Sequence, residues 1–306
     1  MRLFAACAAL LSLALPAAAW NGTGHRVIAA IAYARLTPQA RAKVDALIRQ
    51  HPDYATLLTQ DASQDPAARA RRAFENAAAW PDTIRGDMRF YDSTDAKAVP
   101  TPLMAGYASM DRHVTWHYYD IPYAPDGAPT PQQAPPHALS ELRRILLEIG
   151  NPQVAPPLQA YDLPWLSHIE GDVHQPLHAT SRFLLSQPGG DAGGNFVYIV
   201  PMTNLHSVWD NLPGRDISEA SIQALADELT AEHPEEGALS EDPQKWLEES
   251  FELVKSDVYT FGLETGSEEK RLTLPAGYEQ KAKKIARARM ALAGYRLAAL
   301  LNARLQ

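Results

Sequence analysis

Cysteine is almost missing from this 306-residue chain: the only one is Cys7. It falls in an N-terminal stretch that reads as a leader. Met1-Arg2 supplies a small positive end and Leu3 to Leu15 an apolar run. Pro16 then breaks the run, and Ala17-Ala18-Ala19 gives a small-residue cleavage pattern. The sequence therefore predicts a cleaved secretory signal over residues 1–19, a mature chain beginning at Trp20, and a secreted or periplasmic protein. Residues 20–306 contain no cysteine, which excludes a disulfide framework even in a compartment that permits one. Stability must come from the core, with metal as a second source. Long apolar runs are missing too. The leader is shorter than the ~20 apolar residues a membrane span needs, and no later segment reaches that length, so no stable membrane anchor is expected.

An excess of positive charge is also absent. The formal net charge is −8, and one unit more negative without Arg2. That argues against tracking along duplex DNA by phosphate neutralisation. It leaves room for a nucleic-acid enzyme whose local positive charge comes from metal ions. Internal repeats, low-complexity tails and composition shifts are missing, so residues 20–306 read as one domain. Strand signals are few, the best being Phe196 to Val200 behind the glycines at 189–190 and 193–194. What is there is helical spacing. Val27, Ile28, Ile31, Ala32 and Leu36 share a face, and Thr37-Pro38 opens a second helix. Further helices are predicted over 67–80, 139–149, 164–173, 217–229, 246–261 and 278–305. The Pro-rich stretch 121–136 reads as an ordered surface loop or a lid. The fold class is mainly α.

The ten histidines are unevenly placed. Three lie between His168 and His178, in His168-Ile-Glu-Gly-Asp172-Val-His174-Gln-Pro-Leu-His178. On a helix His168 and Asp172, at i and i+4, share one face and can reach one metal. Pro176 should end that helix and leave His178 on the following turn. His206 and Asp210 repeat the spacing in Asn204-Leu-His-Ser-Val-Trp-Asp210. One such pair alone is as readily a solvated ion pair; two pairs and a third histidine point to metal in a bundle core. His25, His117 and Asp82 are further candidates, each also readable as a core or helix-end residue.

These blocks together resemble the zinc-dependent single-strand nucleases of fungi and plants and their bacterial relatives, the S-one/P-one nuclease family. The resemblance is carried by Trp20 with His25 behind it, by Trp80-Pro-Asp82-Thr-Ile-Arg85, and by His117-Tyr118. It continues through the block from His168 to His178, Gly193-Gly194-Asn195, and Asn204 to Asp210. It implies a single-domain helical bundle of the phospholipase C/P-one nuclease type, with a small β-hairpin or loop region near 190–201. It also implies three zinc ions. One is held by Asp82, His117, His168 and Asp172. A second is held by His178, His206 and Asp210. The third takes the Trp20 amine and carbonyl, His25 and the bridging Asp172. His174 has no ligand role in the pattern and reads as a packing residue.

The implied activity is hydrolysis of phosphodiester bonds in single-stranded DNA and RNA to 5′-phosphorylated products by a metal-activated hydroxide. Asp172 would orient the nucleophile, and Arg85 would stabilise charge on the phosphoryl oxygens. Read from the residue alone, Arg85 is equally a cation balancing a helix C-terminus. Tyr118 and Asn195 would contact the base by stacking and hydrogen bonding. Nucleotides are further substrates, with 3′-nucleotidase activity left open, and a monomer without protein partners is expected. Two alternatives stand beside this: a zinc phospholipase C of the same superfamily, and a non-catalytic periplasmic zinc-binding protein.

Overall fold

A computed structural model describes residues 20–201, 203–235 and 239–306; the expected leader, 1–19, lies outside the described residues. The described chain is mainly helical, as expected. Helix α1 (Gly22–Ala34) starts where the Asn21 side chain accepts from the N–H groups of Thr23 and Gly24, and buries Val27 to Tyr33. Helix α2 (Pro38–Gln50) is capped by Thr37, and α3 (Pro66–Thr83) by Asp65, each with proline in the first turn. Then come α4 (Ala138–Glu148), α5 (Pro156–Asp172), α6 (Leu205–Asp210), α7 (Glu219–Glu232), α8 (Pro243–Leu253) and α9 (Tyr278–Arg304).

Helix α1 is wrapped by its neighbours α3, α5, α7 and α9. The α1–α9 crossing depends on Gly294, where an added Cβ would sit 2.5 Å from Ile31 Cγ2, so only glycine admits this approach. Helix α5 is buried from Gln159 to Asp172, which makes it the central support of the histidine pairs. No helix among the described residues is long and apolar enough to cross a membrane.

Four expectations are corrected in detail. Helix α5 begins at Pro156, so Pro164 lies inside it; packing against α2, α3 and α4 outweighs the lost N–H. The helix expected over 246–261 becomes a π-helical turn at Val254–Val258. The strand expected over 196–200 shrinks to β3 (Tyr198–Ile199), paired antiparallel with β4 (Thr203–Asn204). The Pro-rich stretch opens with a strand, β1 (Ile121–Tyr123), in parallel register with β2 (Thr180–Arg182).

Candidate metal centre

Three sets of ligand-type side chains converge where α1, α3, α5 and α6 meet the turns holding His117 and His178. They are His25 with Asp82 and His168, then His117 with His168 and Asp172, then His178 with His206 and Asp210. Within each set the candidate donor atoms lie within 4.8 Å of one another. His25 comes from the first turn of α1, and Asp82 from the last turn of α3. His168 and Asp172 stack on one face of α5, while His206 and Asp210 do the same on α6. His117 and His178 close the 3₁₀ turns Val114–His117 and Pro176–His178.

The deepest set has the dimensions of a tetrahedral site. His168 Nε2 is 2.9 Å from His117 Nδ1, and each is 3.3 Å from Asp172 Oδ2. Asp82 Oδ1 lies 3.8 Å from His168 Nε2 and 3.9 Å from His117 Nδ1. Donors 2.0–2.1 Å from a shared zinc stand about 3.3 Å apart. His25 Nε2 is 3.2 Å from Asp172 Oδ1, and the His25 ring stacks on His168 at 3.8 Å. In the other set His206 Nε2 is 3.3 Å from Asp210 Oδ2, and His178 Nε2 is 3.9 Å from Asp210 Oδ1.

The outer contacts fix which nitrogens face inward. Nδ1 of His168 donates to the Ala78 carbonyl at 2.8 Å, Nδ1 of His178 to His117 at 2.6 Å, and Nδ1 of His206 to Gly193 at 2.7 Å. A carbonyl only accepts, so each neutral ring presents its Nε2 lone pair to the centre. Gln175 Nε2 donates to Asp210 Oδ1 at 2.7 Å. Gly193 sits at φ +60°, and a Cβ there would be 2.5 Å from the Leu177 carbonyl; glycine lets this loop press its carbonyl onto His206. Asp191 anchors the same loop, accepting from Tyr259 Oη at 2.7 Å and from the Gly194 N–H at 3.2 Å.

The unmet polar atoms test whether a cation fits. His25 Nδ1 and Nε2, Asp82 Oδ1, both Asp172 oxygens and His178 Nε2 are buried without a hydrogen-bond partner. Burial pushes the Asp172 and Asp210 carboxyls well above their usual range, with the Asp82 charge adding to both. It pulls His25, His117 and His178 well down, and His168 to about 4, so these rings are neutral, as ligands must be. Buried carboxylates facing lone pairs are costly unless a cation joins them. The residues present fit divalent metal with nitrogen and oxygen ligands.

Trp20 is fully buried beside this centre: the next N–H, of Asn21, donates to the Asp210 carbonyl at 3.1 Å. Arg85 Nε lies 3.6 Å from Asp82 Oδ1. Arg85, Tyr118 and Asn195 line a cavity of about 420 Å³ whose floor includes His117, His178 and His206. His174 is apart from the centre: its Nδ1 donates to the Glu170 carbonyl at 2.7 Å, and its Nε2 accepts from Arg296 at 2.9 Å. His51 packs edge-on to Trp80, His113 stacks on Trp116, and His137 caps α4. The sequence reading missed Asp120 and Arg112 in the cavity wall, and Gln175 behind Asp210. Two of these had a signal: Asp120 follows His117 by three residues, and Gln175 lies inside the histidine block.

A family model described as S1/P1 Nuclease matches residues 20–306. Nuclease S1 of Aspergillus oryzae (strain ATCC 42149 / RIB 40) is 30% identical over 187 residues, covering 54% of this chain and 60% of that protein. Endonuclease 4 of Arabidopsis thaliana is 33% identical over 166 residues, or 46% of this chain and 49% of the relative. Endonuclease 5 of the same plant is 49% identical over 53 residues, 16% of each chain. The matches thus span less than two thirds of the length of these relatives.

Proposed function

Because the chain belongs to the S1/P1 nuclease family, we propose that it is an exported zinc-dependent endonuclease that hydrolyses single-stranded DNA and RNA to 5′-phosphorylated products. The observation that carries this reading is the convergence of buried, unpartnered carboxylate oxygens and imidazole nitrogens beneath an open cavity. Asp82, His117, His168 and Asp172 would hold one zinc, and His178, His206 and Asp210 a second. His25 and Asp172 would hold a third together with the free amine and carbonyl of Trp20. Bound there, zinc lowers the pKa of water toward neutrality and draws charge from phosphoryl oxygens.

The chain's own residues do the rest. Asp172, with one oxygen toward His25 and the other toward His117 and His168, would orient the attacking water. Arg85 lines the cavity beside Asp82, where a guanidinium can bind phosphoryl oxygens. Tyr118 offers a stacking face and Asn195 a hydrogen-bonding edge, a pairing that needs an unstacked base and so favours single strands. The carboxamide of Asn195 already donates to the Ala192 carbonyl at 2.8 Å, which presets its orientation.

The test is to express the chain from Trp20, load it with zinc, and follow release of acid-soluble nucleotides from single-stranded and duplex DNA and from RNA. Cleavage of single strands that a chelator stops and zinc restores supports the reading. Activity on phosphatidylcholine vesicles without activity on nucleic acid would replace it with a phospholipase.

A further inference from the structure

One cation on the cavity wall is not used by the chemistry above. Arg112 lines the cavity together with Arg85, Tyr118 and Asn195. Its backbone is held, its N–H donating to the Tyr91 carbonyl at 2.8 Å. Its guanidinium makes a single hydrogen bond, from Nη2 to the Asp87 carbonyl at 3.2 Å, while Nε is buried without a partner. Among the described residues no carboxylate forms an ion pair with it. Of the acidic residues lining the cavity, Asp92 is already engaged, accepting from the Thr94 N–H at 2.8 Å and hydroxyl at 2.6 Å. A guanidinium without a counter-ion in the wall of a polyanion-binding cavity is a site for an anion.

Its placement says which anion. Asp87 follows the 3₁₀ turn Ile84–Gly86 that carries Arg85. Two residues of chain span at most about 7 Å, and both arginines line the same cavity. Each has its own anchor, Arg85 beside Asp82 and Arg112 on the Asp87 carbonyl. We propose that Arg112 forms a second phosphate subsite, which holds the phosphodiester next to the one being cut and so favours a polynucleotide strand over a mononucleotide. This rests on the nuclease reading of the same cavity.

The test uses the zinc-loaded chain and single-stranded trinucleotides. One has two phosphodiesters; two others carry a neutral methylphosphonate at either linkage, leaving one bond to cut. In the wild type, the neutral linkage at one of the two positions is expected to raise KM about tenfold, the scale of one charge-assisted hydrogen bond, with kcat little changed. Arg112→Ala should raise KM for the all-phosphodiester substrate by a similar factor and no longer distinguish the neutral linkage. Arg112→Lys should restore part of the discrimination. The slope of log KM against log salt should also fall by roughly 0.7 in Arg112→Ala, the share of one phosphate contact on a single strand. Additive rather than overlapping effects of the variant and the neutral linkage would overturn the subsite. So would a wild type indifferent to both methylphosphonates, a result that does not depend on any variant folding. Failure of the wild type to cut any trinucleotide would instead remove the nuclease reading, and the subsite with it.

Discussion

His117 Nδ1 and His168 Nε2 stand 2.9 Å apart between two fully buried rings. The proton of neutral His168 is already on Nδ1, where it donates to the Ala78 carbonyl, so Nε2 offers only a lone pair. His117 can donate into that lone pair from Nδ1, but its own Nε2 lone pair is then buried with no donor to meet it. Asp172 Oδ2 lies 3.3 Å from both nitrogens and receives no hydrogen bond. A cation among the three satisfies His117 Nδ1, His168 Nε2 and Asp172 Oδ2 at once. A metal bound there would therefore couple to folding at this pair.

Removing metal should accordingly cost stability. Each zinc present at a hundred times its Kd adds about 2.7 kcal/mol to the folded state. In a chain of this size that is roughly 5–10 °C of Tm per site. Scanning calorimetry of the zinc-loaded protein before and after dialysis against a chelator should show a drop of at least that size, reversed by adding zinc back. A Tm indifferent to chelation would mean that the buried donors are satisfied without metal.

Gln175 should matter at the His178, His206 and Asp210 set alone. Its Nε2 donates to Asp210 Oδ1 at 2.7 Å, and its Oε1 accepts from the Leu177 N–H at 2.5 Å, which pins the amide between turn and helix. Gln175→Met keeps the volume and loses both the donor to Asp210 and the acceptor for the Leu177 N–H. Outer hydrogen bonds of this kind are worth about 10- to 100-fold in metal affinity. Competition with a fluorescent chelator should show one zinc weakened by that factor and the others unchanged. Uniform weakening of all zinc sites would point to a global loss of packing instead.

The parts of this centre that were legible in the sequence are those whose geometry is local. His168 with Asp172, and His206 with Asp210, share a helix face by spacing alone, and His178 follows a proline that closes the intervening turn. The cavity wall was not legible in the same way. Arg112 and Asp120 sit on irregular chain between α3 and α4, where no periodicity says which side chains meet. Strand β1 pairs with β2 some sixty residues on, and three residues carry too little alternation to announce a strand. Pro164 misled for another reason: proline favours the first turn of a helix, so the spacing starts one there, yet α5 is so fully packed that tertiary burial holds it through that position.

Substrate affinity should depend on pH through Asp120. Burial raises its carboxyl to about 7, and the neighbouring Asp191 charge adds to the shift. The other charged groups facing the cavity are Arg85, Arg112 and Asp92. Below pH 7 Asp120 is neutral; above it, a negative charge enters the cavity proposed to hold a polyanion. KM for single-stranded DNA should therefore rise as pH passes upward through 7, by about fivefold for a repulsion of ~1 kcal/mol. Asp120→Asn should flatten this rise while leaving the affinity at pH 5.5 close to that of the wild type. A rise that persists in Asp120→Asn would assign it to the metal ligands instead.

A chain beginning at Trp20 offers the sharpest test of the proposed third zinc. Trp20 is fully buried, and an added Cβ at Gly24 would come within 2.7 Å of Trp20 Cβ, so the chain folds back tightly over the first turn of α1. The Asn21 N–H is committed to the Asp210 carbonyl, which fixes Trp20 next to the centre. An amine there has a lone pair for zinc, whereas an amide nitrogen has none to give. One extra residue ahead of Trp20 makes that conversion and must also find room beside a buried indole. The chain beginning at Trp20 should bind three zincs and cut single-stranded DNA. The extended chain should bind two and lose at least about 100-fold in kcat, the scale of removing one electrostatic stabiliser from a reacting centre. Equal zinc content and equal rates in the two forms would show that the amine is not a ligand, and would leave His25, with Asp172 at 3.2 Å, as the core of that site.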